Sequence, residues 1–230
     1  MKVHKIKFHW VLCVCLMVFH GNSISLGAGE PIGMVTQLKG DVVYVTEGRK
    51  DRQVRNFMKV HRGDRFKLHS EAALQIVYFD NGRKVLWDGP TEFEAGKVEK
   101  NQKKGPTVSK LTEDVSQEIR RVSLLVDMSR LQRTGSSQVR GSDSEKDKLL
   151  SHSVPLGEAD EKIVHAAKTR YEALRKEADP QDIIPEMYLF SIMADYDQYG
   201  EMKNLIHRMR ERQPENDQVD LIWEWFLGRM

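Results

Sequence analysis

Cysteine is nearly missing from this 230-residue chain: there are two, Cys13 and Cys15, and both lie in the first 15 residues. A disulfide scaffold is thereby excluded, because such folds need several paired cysteines spread along the chain. With 7 proline and 16 glycine, the composition is neither collagen-like nor low-complexity. Long apolar runs are also lacking. The only one, Phe8 to Phe19, has 12 residues including His9, whereas a spanning helix needs about 20. Charge of one sign is scarce too: 36 Lys+Arg face 34 Asp+Glu.

That short apolar run follows Lys2, Lys5 and Lys7 and precedes a small, polar stretch with Ser23, Ser25, Gly27 and Ala28. A basic start, a short apolar middle and a small-residue end are the order of a secretory signal peptide. Residues 1–28 are therefore expected to be removed after Ser25, Gly27 or Ala28, leaving no membrane span. Bulky Leu12 before Cys13 and Val14 before Cys15 argue against a lipoprotein. The mature chain keeps 33 basic against 34 acidic residues and no thiol. In an oxidising compartment it must rely on core burial, for which about 200 residues suffice. The expected location is the periplasm or cell envelope, which also argues against nucleic acid as a partner.

Pattern divides the remainder. Residues 29–98 read as short strands: Val42 to Val45, then Ala72 to Phe79, where Leu74, Ile76 and Tyr78 alternate with Ala73, Gln75, Val77 and Phe79. Asn81-Gly82 between that run and Arg83 to Trp87 predicts a hairpin with a type I′ turn. Residues 99–133 read as a basic linker leading into an amphipathic helix whose face carries Leu111, Val115, Ile119, Val122, Leu125, Met128 and Leu131. Residues 134–156, rich in Ser, Gly and charge, read as a flexible linker. Residues 157–230 have helical periodicity throughout. Ile163, Ala167, Tyr171 and Leu174 mark a first helix ending before Asp179-Pro180. Tyr188, Leu189, Ile192, Met193 and Tyr196 mark a second, with Pro185 in its first turn. Met202, Leu205, Ile206 and Met209 mark a third, and Val219, Ile222, Trp225 and Phe226 a short fourth. The expected class is α+β in two domains: an N-terminal all-β module of short strands and hairpins, and a C-terminal all-α bundle of helical hairpins. From Lys97 to Lys148 basic residues lead acidic ones by 12 to 8, and from Leu149 onward acidic ones lead by 16 to 10. That asymmetry suggests that the basic connector packs on the acidic bundle.

Chemistry-bearing motifs are sparse. His61, His69, His152, His165 and His207 show no metal-ligand spacing, and His4, His9 and His20 belong to the signal segment. There is no Gly-x-Ser-x-Gly elbow and no phosphate-binding Gly-x-x-x-x-Gly-Lys loop. Asp64 and Asp80 sit beside turn glycines, where an aspartate accepts backbone N–H bonds. No catalytic residue, cofactor or metal is expected. Arg49-Lys50-Asp51-Arg52 and Lys100 to Lys104 read either as solvated loops or as polyanion-binding patches for lipopolysaccharide or teichoic acid. Trp223, Trp225 and Phe226 read as the seal of the last helix or as an exposed ligand patch.

Two resemblances emerge. Gly33-Met34-Val35-Thr36-Gln37-Leu38-Lys39-Gly40-Asp41-Val42, then Val60-His61-Arg62-Gly63-Asp64-Arg65-Phe66, then Ala72 to Ile76 with Phe79-Asp80-Asn81-Gly82, occur in an order and spacing that resembles a FecR-type domain. The resemblance marks Gly33, Gly40, Gly63, Asp64, Phe79, Asp80 and Gly82 as family-motif structural positions. It implies an all-β module of bacterial envelope proteins and an extracytoplasmic address. Members that transmit iron-siderophore signals carry a cytoplasmic sigma-regulating segment. Here seven residues precede the apolar run, so that segment is not expected. Tyr188 to Pro214, with Ala194, Tyr196 and Tyr199-Gly200, is similar to part of a tetratricopeptide repeat, an irregular bundle being the alternative. The functional expectation is a non-enzymatic binding or scaffolding protein with an envelope protein or glycan partner. The alternative is an accessory component of transmembrane signalling.

Overall fold

The computed structural model describes residues 29–45, 51–97, 105–135 and 154–229. The signal segment, Arg49, Lys50, Lys100 to Lys104 and most of the Ser/Gly-rich stretch lie outside the described residues.

Among the described residues nine strands come first: β1 Gly33–Lys39, β2 Val42–Val45, β3 Arg52–Gln53, β4 Lys59–Val60, β5 Arg65–Leu68, β6 Ala73–Tyr78, β7 Arg83–Asp88, β8 Thr91–Glu94 and β9 Thr107–Lys110. They form a five-stranded sheet in the order β4-β1-β6-β7-β9 and a four-stranded sheet in the order β3-β2-β5-β8. Every pairing is antiparallel. Five helices follow: α1 Glu113–Gly135, α2 Glu158–Glu177, α3 Ile184–Asp195, α4 Tyr199–Arg212 and α5 Val219–Arg229. The chain is thus α+β, with strands first and helices after.

Alternation along β6 explains the layering. Leu74, Ile76 and Tyr78 face the second sheet and share a core with Val35, Val42, Phe66, Leu68, Val85 and Phe93. Trp87 stacks on Phe93 there, with ring centroids 4.1 Å apart and planes within 8°. The opposite face of β6 is not solvated: Gln75 is buried, and Val77 and Phe79 join a second cluster with Met34, Phe57 and the helices. The five-stranded sheet is therefore the middle of three layers, buried on both faces. A strand in that position needs apolar residues at successive positions, and β6 supplies them, with Gln75 as the polar exception.

Three local expectations are corrected. The β6–β7 hairpin forms with Val77 opposite Lys84, but its loop has four residues, Phe79 to Gly82. Only Gly82 has positive φ there (+64°), so the type I′ turn at Asn81-Gly82, which requires both residues left-handed, is not made. Residues 107–110 of the expected linker form β9, which pairs Val108 with Val85 at the sheet edge. The buried face of α1 is Val115, Ile119, Val122 and Val126, continued by Ser129, whereas Leu124, Met128 and Leu131 are exposed and Leu125 is half-buried. After Val122 both a three- and a four-residue step meet an apolar residue. The helix takes the four-residue step to Val126, and Ser129, next on that face, donates its Oγ–H to the Leu221 carbonyl at 2.6 Å where α1 meets α5.

The remaining helices follow their apolar faces more closely. On α2, Val164 and Ala167 are buried while Ile163 is exposed. On α4 the buried set is Met202, Leu205, Ile206 and Met209, and on α5 it includes Val219, Ile222, Trp225 and Phe226. Trp225 and Phe226 are therefore core, not an exposed patch. Helix α3 is buried on all sides from Ile184 to Ala194 except at Ile192, as an all-round apolar helix must be. It packs against α1, α2 and α4, while α1 also packs on α5. Helix α1 carries four basic and four acidic residues and docks on the other helices mainly through Val115, Ile119, Val122 and Val126, so apolar burial rather than charge asymmetry accounts for the packing. Arg121 with Asp195 is the ion pair between α1 and α3.

Candidate functional site

The seven family-motif positions fall in separate places. Gly33 begins β1, Gly40 lies in the turn to β2, and Gly63 with Asp64 forms the turn before β5. Asp64 Oδ2 accepts the His61 N–H at 2.7 Å and its Oδ1 accepts the Tyr44 hydroxyl at 2.9 Å, which makes it a turn brace. At Asp80 the expectation is corrected: its neighbour Asn81 accepts the backbone N–H of Arg83 at 3.0 Å. Among the described residues no hydrogen bond reaches the Asp80 side chain, and it lines a cleft instead.

Phe79, Asp80 and Gly82 are brought together at that cleft, about 580 Å³ in volume, between the β6–β7 loop and the first turn of α1. Phe79 forms its apolar floor and is 6 % exposed. Gly82 fixes the wall: a Cβ there would stand 2.6 Å from the Leu111 carbonyl, in a left-handed backbone that disfavours side chains. The Leu111 N–H donates to the Gly82 carbonyl at 2.7 Å and ties the loop to the end of β9. Lys110, Thr112, Glu113 and Gln117 complete the lining. These α1-side residues were read from sequence as linker and helix start, with no signal that they would meet the hairpin.

A second cleft of about 280 Å³ shares Lys110, Leu111 and Thr112 with the first and extends to Arg170, Asp182 and Pro185. Arg170 Nη2 donates to Thr112 Oγ1 at 2.7 Å across it. The two clefts flank β9, whose four residues are all exposed and whose backbone, among the described residues, pairs with β7 alone. The result is an open strand edge beside donors and acceptors of both charges. No histidine, serine–histidine pair or thiol lines either cleft except for Ser109 and Ser116 standing alone. Such an arrangement can hold a polar, extended ligand; it lacks the nucleophile-and-base geometry of acyl transfer. Among the described residues there is also no group of three or more His, Cys, Asp or Glu able to hold a metal ion.

Behind the second cleft lies a buried polar junction between sheet and helices. Asp182, 1 % exposed, takes Lys84 Nζ at 2.7 Å on Oδ2, and on Oδ1 it accepts the Ile184 N–H at 3.0 Å and Gln75 Nε2 at 3.4 Å. Gln75 Nε2 also donates to Thr36 Oγ1 at 2.9 Å. The register of β1 shifts between Val35 and Gln37, so Thr36 is the extra residue of a bulge. That bulge offers the Thr36 carbonyl to Gln213 Nε2, the residue capping α4, at 3.1 Å. Next to this junction the fully buried Glu186 is held by Arg212 Nε at 2.8 Å, Arg175 Nη1 at 3.2 Å and the Tyr171 hydroxyl at 3.2 Å. Buried carboxylates of this kind need paired, hydrogen-bonded surroundings, and both have them.

Burial pushes the phenols of Tyr78, Tyr188 and Tyr199 above their ordinary value, with Asp114 adding at Tyr188 and the Asp197 hydrogen bond adding at Tyr199. The hydrogen bond to Asp195 holds Arg121 protonated even more firmly than usual. Burial lowers Arg130, assisted by the nearby Arg55 charge and opposed by Asp127. No helix among the described residues is long and apolar enough to cross a membrane. Comparison with protein-family models, with curated proteins and with solved structures gives no match for this chain.

Proposed function

We propose that the chain is an exported bacterial envelope protein that acts as a non-enzymatic binding or scaffolding module. Its strands form a FecR-like domain and its helices a bundle of helical hairpins docked on the domain's outer face. The ligand surface is the open edge of β9 with the clefts on either side. The partner is an extended segment of an envelope protein, laid beside β9 as an added strand. The observation that carries this reading is β9 itself: four exposed residues, one paired edge, and a cleft of about 580 Å³ opening at its end. Main-chain pairing would supply affinity, and Asp80, Lys110 and Glu113 would select among side chains.

A photo-reactive residue at position 108, in cells of the producing organism, tests the reading. A covalent adduct at Val108 and none at exposed Lys67 on the opposite sheet is the expected outcome. Equal labelling at both positions, or none at either, would contradict it. The chemical nature of the adduct separates a protein from a glycan, and recovery of a receptor or sensor protein would turn the reading toward a signalling accessory.

A further inference from the structure

On the other side of the molecule from β9's pairing edge, the loop between β3 and β4 faces α1 and the start of α5 across a groove of about 270 Å³. Arg55 comes from the loop, Lys59 from β4, Asp127 and Arg130 from one turn of α1, and Gln218 from the residue before α5. Three cations thus face one carboxylate. Asp127 is already shared: it pairs with Lys59 and lies 3.5 Å from Arg130 Nη1. Gln218 Oε1 accepts Arg130 Nη2 at 2.9 Å, which aims the guanidinium along the groove. Arg55 has no ion-pair partner among the described residues, and its guanidinium adds to what destabilises the charge on Arg130. The groove thus gathers three cations against a single carboxylate, an excess of positive charge that a doubly charged oxyanion would neutralise.

We propose that this groove is a binding site for a phosphate monoester group, gripped between Arg55 and Arg130, with Lys59 beside it. The charge match selects phosphate over a carboxylate. The ionisable lining carries a formal +2, which a monoester near its full charge neutralises and a carboxylate only halves. Arginine forks suit that tetrahedral oxyanion because each can donate two parallel N–H bonds. Since the sites for the two guanidiniums lie on the sandwich and on α1, the bound group would bridge the two layers and stabilise the folded chain. The inference stands independently of the β9 surface.

Titration of the full chain with inorganic phosphate, at constant ionic strength set by chloride, provides the test. Saturable binding that raises the thermal midpoint is expected. Arg55→Gln should weaken it at least about tenfold, while Lys176→Gln, which removes one exposed charge from α2, outside the groove, should leave it unchanged. Arg55 is exposed, so its substitution leaves the core intact. Glycerol phosphate and vesicles containing phosphatidic acid then separate the sources. Binding of glycerol phosphate assigns the groove to a soluble ester, and Arg55-dependent sedimentation with vesicles assigns it to a headgroup; either supports the proposal. Failure to saturate, or equal weakening by Arg55→Gln and Lys176→Gln, would overturn it as a diffuse charge effect.

Discussion

Asp182 Oδ2 lies 2.7 Å from Lys84 Nζ, so a carboxylate just beyond α2 is locked to a lysine of β7, the strand next to the β9 edge of the five-stranded sheet. With Asp182 1 % and Lys84 19 % exposed, this pair is the most buried ionic link between strands and helices. Removing one partner leaves the other's charge without compensation, whereas replacing both by apolar groups removes the problem altogether. Asp182→Ala should therefore cost about 3 kcal/mol or more in urea denaturation, and the double variant Lys84→Met/Asp182→Leu should recover most of that loss. A double variant less stable than either single variant would show that the pair is not desolvated as described.

Gly82→Ala should destabilise the chain by about 1–3 kcal/mol, since it combines a left-handed φ with a Cβ 2.6 Å from the Leu111 carbonyl. The damage should be local first: the Leu111 amide, which donates to Gly82, should exchange faster with solvent while β6 amides keep their protection. Unchanged exchange at Leu111 would mean that the loop and the end of β9 are not tied together.

Alkaline pH should unfold the protein through its buried phenols. A tyrosine whose folded pKa is raised contributes stability that is complete below the unfolded value of about 10 and is lost as pH rises through the folded value. Tyr78, Tyr188 and Tyr199 all shift in that direction. Ultraviolet difference absorbance should show their ionisation coinciding with loss of helicity. Tyr188→Phe, which keeps the ring and removes the titrating group, should move the alkaline midpoint to higher pH.

The proposed export makes a simple prediction about mass. Protein recovered from the envelope should begin at Leu26, Ala28 or Gly29, corresponding to cleavage after Ser25, Gly27 or Ala28, and should contain no cysteine. An intact Met1 would contradict the proposed route.

Much of the element order was legible because single residues enforce it. Pro185 marks the start of α3, Asp179-Pro180 follows the end of α2, and the alternation from Ala73 to Tyr78 gives β6. What was hidden depends on the third layer. The alternation of Leu74, Ile76 and Tyr78 with Ala73, Gln75, Val77 and Phe79 does not say that both faces are covered, yet Gln75 is buried because helices lie on its face. Asp182 and Glu186 lie on either side of Pro185 with no local spacing that marks them, and only the fold brings Lys84, Arg175 and Arg212 to them. Strand β9 has four residues and no helix-like or strand-like period of its own; its pairing with β7 creates it. The groove residues Arg55, Lys59 and Arg130 are 75 positions apart in the chain at their extremes, and no local spacing could have joined them.

The most direct test of this architecture is native-state hydrogen exchange, followed over increasing urea, on the slowest amides of β6 and of α3. Met34, Phe57, Val77 and Phe79 share one apolar cluster with the helices, and Asp182 anchors both layers, so strands and helices should open together. The exchange isotherms of Leu74 and Ile76 in β6 should merge with those of Phe190 and Met193 in α3 at a single opening free energy. If the helix amides exchanged through an opening that left β6 protected, or the reverse, the layers would be separate folding units, and a cleft built between them could not be a fixed binding surface.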